Sequence, residues 1–81
     1  METRISVINI IVHDTQKASE VNEILHEYGP YVVGRMGVPY PEKKISIICL
    51  ILDAPPPVTS ALSGKLGMLS GVTAKTVTAK V

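Results

Sequence analysis

Tryptophan and phenylalanine are absent from this chain, and three tyrosines are its only aromatic residues. A core without large rings has to be filled by Ile, Val, Leu and Ala packed between close layers. Cysteine is nearly absent as well. The single thiol, Cys49, excludes an intramolecular disulfide framework, and its place in an apolar run marks it as a small core hydrophobe in a reducing compartment, so the cytoplasm is expected. Histidine is scarce: His13 and His26 form no close pair, whereas a transition-metal site needs three or four convergent donors. No metal and no other cofactor is expected. Charge of one sign is missing too. Eight Lys and Arg stand against seven Asp and Glu, for a net charge of +1, and they are scattered along the chain, so direct binding to nucleic acid is not expected. Long hydrophobic runs are also lacking. The stretches Ile5 to Val12 and Ile45 to Leu52 fall far short of the roughly 20 residues that cross a bilayer, so no membrane association is expected. The first is followed by His13-Asp14-Thr15-Gln16 with no small-x-small cleavage site, and it reads as a strand, not as a signal peptide.

What the chain has in excess is aliphatic surface. Hydrophobic residues make up 46% of only 81 positions, enough for one domain spanning residues 1–81 and one modest core. The surplus points to burial against a second subunit, so a homo-oligomer is expected, a homodimer or a homotetramer.

Ile5 to Val12 is apolar at both parities, with Ile5, Val7 and Ile11 on one side and Ile8, Ile10 and Val12 on the other, so both faces of this strand need cover. Asp14 is an N-cap for an amphipathic helix of about four turns, in which Ala18, Val21, Leu25 and Tyr28 share a face until Gly29-Pro30 ends it. Tyr31 to Met36 reads as a short edge strand weakened by Gly34, and Gly37 to Pro41 as a loop. Lys43 to Leu52 is a second strand apolar on both faces. Pro55-Pro56-Pro57 opens a second helix with Val58, Ala61, Leu62 and Leu66 on one face, ending near Gly67. Val72 to Val81 alternates in the manner of a half-exposed edge strand.

The order β-α-β-β-α-β predicts an α+β, ferredoxin-like βαββαβ sandwich, with a four-stranded antiparallel sheet in order 4-1-3-2 and two helices on one face. Within it the split βαβ arrangement is read with strands one and three parallel and central. About six aliphatic side chains per subunit then point away from the helices. At roughly 1.5 kcal/mol each, their burial is worth on the order of 10 kcal/mol, decisive for so small a domain.

Little in the chain carries chemistry. Ser63-Gly64-Lys65 lacks the earlier glycine of a P-loop and is followed by Leu66, so it reads as a helix with a close-packing glycine. No G-x-S-x-G elbow is present, and Glu20, Glu23 and Glu27 line one solvated helix face. Enzymatic activity is not expected. Two places are suited to holding a ligand. His13 and Asp14 sit where the first strand meets the first helix and free amides point outward. Arg35, Gly37 and Tyr40, with Lys43, surround the stiff loop between the second and third strands and offer donors to a carboxylate or phosphate.

Three segments, Arg35-Met36-Gly37-Val38-Pro39-Tyr40, Ile45 to Leu52, and Ala61-Leu62-Ser63-Gly64-Lys65-Leu66-Gly67 with Ser70-Gly71-Val72, resemble those of the iron-only hydrogenase system regulators. The resemblance covers nearly the whole chain. It implies an ACT-type variant of the ferredoxin-like fold, similar in architecture to the effector domain of nickel-responsive repressors, that assembles as dimers or tetramers. In ACT-type domains small effectors, often amino acids, bind between subunits near the first strand-to-helix loop, which here holds His13 and Asp14. The His-x-His pair of the nickel domains is missing from this sequence.

The resulting expectation is a small-molecule-binding regulatory module that acts as a homo-oligomer. Two alternatives remain open: an adaptor that docks a partner, such as a regulator or a hydrogenase-assembly protein, through its sheet edge or face, and a metal-responsive domain using His13 with donors shared between subunits. Without a helix-turn-helix or basic arm, regulation would pass through a partner protein.

Overall fold

In the computed structural model, which describes residues 2–79, the β-branched run Arg4–Val12 forms β1. Asp14 ends the strand and accepts the Gln16 amide at 3.0 Å. The turn it caps is a tight 3-10 turn, Thr15–Lys17, and the α-helix proper, α1, is Ala18–Glu27. Asp14 therefore stands one turn ahead of the α-helix that it was expected to cap directly. A turn at Gly29–Tyr31 leads into β2, Val32–Tyr40, and a second turn at Pro41–Lys43 leads into β3, Ile45–Ala54. Pro56 and Pro57 then occupy the first turn of α2, Pro56–Gly67, where their missing amides cost no helical hydrogen bond. The last strand, β4, is Val72–Thr78; of the segment expected to reach Val81, Lys80 and Val81 lie outside the described residues.

The sheet runs β2-β3-β1-β4, which is the expected order 4-1-3-2 read from its other edge. All three pairings are antiparallel. The expectation that the first and third strands run parallel is thereby corrected: Arg4 pairs with Ala54 and Val12 with Ser46 in an antiparallel ladder. The helical crossover returns β2 in the direction of β1, and the short turn at Pro41–Lys43 then reverses the chain, so β3 enters between them head to tail. The expected loop at Gly37 to Pro41 is corrected as well. Gly37, Val38, Pro39 and Tyr40 all pair with β3, and Pro39 is accommodated because β2 is an edge strand.

Even-numbered residues of the two central strands face the helices. Ile8, Ile10 and Val12 of β1 and Ile48, Leu50 and Leu52 of β3 close against Val21 and Leu25 of α1 and Leu62 and Leu66 of α2. The phase of α2 differs from the expected one. Thr59 is buried with Leu62 and Leu66, while Ala61 is exposed and Val58 only half-buried. Gly64, expected as a close-packing glycine, is not one: a Cβ added there meets nothing within 4 Å.

In β2 the alternation is interrupted. Val32 pairs with Leu52 and Gly34 with Ile51, so Val33 is an extra, bulged residue. One inserted residue exchanges the faces of everything after it, and Arg35, paired with Leu50, and Gly37, paired with Ile48, accordingly lie on the helix side. Met36, Val38 and Tyr40 take the opposite side. There they join Ile5, Ile47, Ile51 and Val77, all well exposed, and the half-buried Cys49. Cys49, expected as a small core hydrophobe, is half-buried on this face and outside the helix-covered core. Among the described residues nothing covers this second face of the sheet.

Candidate functional site

Each of the five residues singled out in the sequence has a definite place in this framework. The backbone amides of His13 and Asp14 both donate to the Gly71 carbonyl, at 2.7 and 3.1 Å. His13 Nε2 and Thr73 Oγ1 are 3.0 Å apart. Gly71 adopts φ +77°, and a Cβ on it would lie 2.6 Å from Asp14 Cβ. The turn after β1 is thus locked to the start of β4, and the Asp14 carboxylate is engaged with the Gln16 amide.

Arg35 and Gly37 stand on the other edge strand. The Arg35 guanidinium reaches over the sheet edge and donates through Nη2 to Asn22 Oδ1 on α1. Among the described residues it has no carboxylate partner. It lines a cavity of 380 Å³ with Asn22, Leu25, His26 and Gly29. A neighbouring cavity of 240 Å³ is bounded by Asn22, Gly37, Pro39 and Ser46, and a Cβ on Gly37 would meet nothing within 4 Å. Together the two form a groove between α1 and β2, with Asn22 on both parts.

The fold brings Arg35 and Gly37 together and separates the other three from them. His13 and Asp14 follow β1, which β3 separates from β2, and they are tied to Gly71 and Thr73 toward the opposite edge of the sheet. Tyr40 is on the uncovered face, its hydroxyl 3.4 Å from Glu42 Oε2. Lys43 lies in the turn that follows. Among the described residues no three His, Cys, Asp or Glu side chains converge, and no helix is long and apolar enough to cross a membrane.

Asn22 is the groove residue that sequence reasoning missed. It occupies the polar flank of an amphipathic helix, where an amide looks like any solvated side chain, and its partner lies 13 positions away on a strand whose facing was inverted by the bulge. Across the helix layer, Lys65 of α2 donates to Glu27 Oε2 at 3.2 Å and lies 5.1 Å from the Tyr28 ring centroid. Tyr28 first and Glu27 next hold the Lys65 ammonium above its ordinary value of 10.5.

Residues 4–76 match the TM1266-like family, described as "Iron-only hydrogenase system regulator, putative". The structure of the uncharacterized protein TM1266 from Thermotoga maritima superimposes with a TM-score of 0.92 at 42% identity, over 98% of this chain and 100% of that one. No curated protein matches.

Proposed function

Because the chain belongs to the TM1266-like family of iron-only hydrogenase system regulators, we propose that it is a cytoplasmic regulatory module that works as a homodimer, two copies stacking their uncovered sheet faces. The observation that carries this reading is that face itself, with Ile5, Met36, Val38, Ile47, Ile51 and Val77 exposed side by side. Four strands about 4.8 Å apart and nine residues long cover about 19 by 30 Å, so a pair buries upwards of about 1,000 Å², the size at which specific interfaces begin. A second copy suits the face in charge as well. Its charged groups include Lys75 of β4 and Asp53 of β3, one of each sign, so two such faces meet without net repulsion.

The same reading gives the groove between α1 and β2 to a small effector. Arg35 supplies a cation already oriented by Asn22, and Gly37 supplies room. His13, Asp14 and Tyr40 lie apart from this groove and are left out of the effector's contacts. With no DNA-binding element in the sequence, the module acts through a partner protein, and the effector alters that association.

Sedimentation velocity of the wild-type protein and of Ile51→Lys tests the dimer. Ile51 is 36% exposed, so lysine is tolerated in the single chain while placing an unpaired charge in the stacked pair. The expected result is a dimer for the wild type and a folded monomer for the variant. A wild-type protein that remains monomeric at 100 µM, roughly a hundred times a micromolar Kd, rejects the proposal.

A further inference from the structure

Away from both the groove and the open face, a crevice of 440 Å³ lies on the helix side between α2 and the β1–β4 pair. Its composition differs from the rest of the interior. The fully buried core under the middle of the sheet is aliphatic, but here six of the lining residues carry hydroxyls: Ser6 of β1, Thr59, Ser60 and Ser63 of α2, and Thr76 and Thr78 of β4. The helix side of β4 accordingly changes character along its length, Val72 and Ala74 over the core and Thr76 and Thr78 over the crevice.

Two of these pairs satisfy each other, Ser6 with Thr78 at 3.0 Å and Thr76 with Ser63 at 3.1 Å. Thr59 is left over. It is 6% exposed, and its hydroxyl is sealed from solvent without a hydrogen-bond partner. Valine has the same shape and would remove the cost of an unsatisfied buried hydroxyl. A helical threonine has two accessible χ1 rotamers about 120° apart, and exchange of this buried hydroxyl to its other rotamer would let it meet a polar group entering the crevice. Gly64, on the same wall, is a second concession. Glycine weakens a helix interior, and alanine there would touch nothing within 4 Å, yet a bare backbone keeps the crevice wide.

We propose that this crevice is a binding site for a small organic anion carrying hydroxyl groups. Arg4, on β1, is the charged residue of the lining, and among the described residues no carboxylate lines the crevice to receive an ammonium group. A hydroxylated carboxylate or phosphate ester is therefore favoured over a zwitterionic amino acid. The hydroxyl walls exchange their mutual hydrogen bonds for bonds to the ligand's hydroxyls, and Arg4 takes the oxyanion.

Amide-resolved NMR titration with L-malate and with sn-glycerol 3-phosphate, each to 20 mM, separates the carboxylate and phosphate sources; glycerol and inorganic phosphate test the hydroxyl and the anion alone. The expected result is saturable shifts at Ser6, Thr59, Ser63 and Thr76 with at least one of the two organic anions, and at least tenfold weaker response to the two controls. Arg4→Gln, an exposed substitution, should raise the Kd at least tenfold. Thr59→Val should melt several degrees higher without ligand and bind at least fivefold more weakly. A Thr59→Val protein that is more stable and binds unchanged makes the hydroxyl a packing flaw, and overturns the proposal. So does the absence of shifts with both organic anions. Neither variant touches the open face, so the oligomeric state in the same samples reports on the dimer independently.

Discussion

Replacing Gly71 with alanine should be among the most damaging single-methyl changes available in this protein. At φ +77° an L-residue costs about 1–2 kcal/mol relative to glycine. The new Cβ also lies 2.6 Å from Asp14 Cβ, within a turn whose backbone is fixed at both ends. To reach ordinary contact the two segments must part by about 1 Å, which stretches the bonds from the His13 and Asp14 amides to the Gly71 carbonyl, each worth about 1 kcal/mol. The combined loss is about 3–4 kcal/mol, a large share of the 5–15 kcal/mol typical of a domain. Urea unfolding followed by circular dichroism, at one fixed protein concentration, measures it directly. The midpoint should fall by about 2 M or more with little change in slope. Combining Gly71→Ala with Asp14→Gly removes the collision but not the backbone strain, so the double variant should recover about 1–2 kcal/mol relative to the sum of the two. A loss below 1 kcal/mol, or strict additivity, would show that the β1 turn is not held against β4 in this way.

Two further changes probe other parts of the molecule. Gly37→Ala places a methyl group in open space on an extended backbone, so it should raise stability by about 0.5–1 kcal/mol by removing glycine's excess freedom in the unfolded chain; a loss of stability would mean that the groove beside it is already filled. Lys65 provides a pH test. Its folded-state value is raised above 10.5, so its contribution is fully present below 10.5 and disappears as the pH climbs through the folded-state value. The stability difference between the wild type and Lys65→Met should therefore shrink between pH 8 and the strongly alkaline range, and a difference that grows instead would contradict the ties to Tyr28 and Glu27.

The central strands could be read from the sequence because Ile5 to Val12 and Ile45 to Leu52 are apolar at both parities, a pattern that only a doubly flanked strand needs. The strand order followed from their position in the β-α-β-β-α-β series. Strand direction was misjudged at the pairing of β1 with β3, where a parallel assignment overlooked the reversal at Pro41–Lys43. The facing of β2 was hidden for a different reason: nothing in Val32-Val33-Gly34 marks one residue as supernumerary, and the bulge depends on how the strand meets its neighbour. In α2 three consecutive prolines blurred the starting phase, and Thr59 was passed over because a threonine does not look like a core residue. Arg35 was conspicuous as a charge in an edge strand. Its companion Asn22 and the hydroxyls around the α2 crevice were not, since each looks ordinary until the fold places it beside the others.

The bulge at Val33 and the imide of Pro39 also bear on how far association can proceed. An outer strand interrupted by an extra residue at one end and lacking an amide at the other is a poor template for a further strand, so β2 resists extension of the sheet from chain to chain. In the proposed dimer the broad open face is the adhesive surface, and a pair of molecules related by a two-fold axis would consume it. Growth along an edge has no natural end, whereas pairing by faces stops at two. The proposed pairing would thereby steer a sequence this rich in aliphatic residues toward a closed assembly and away from fibres.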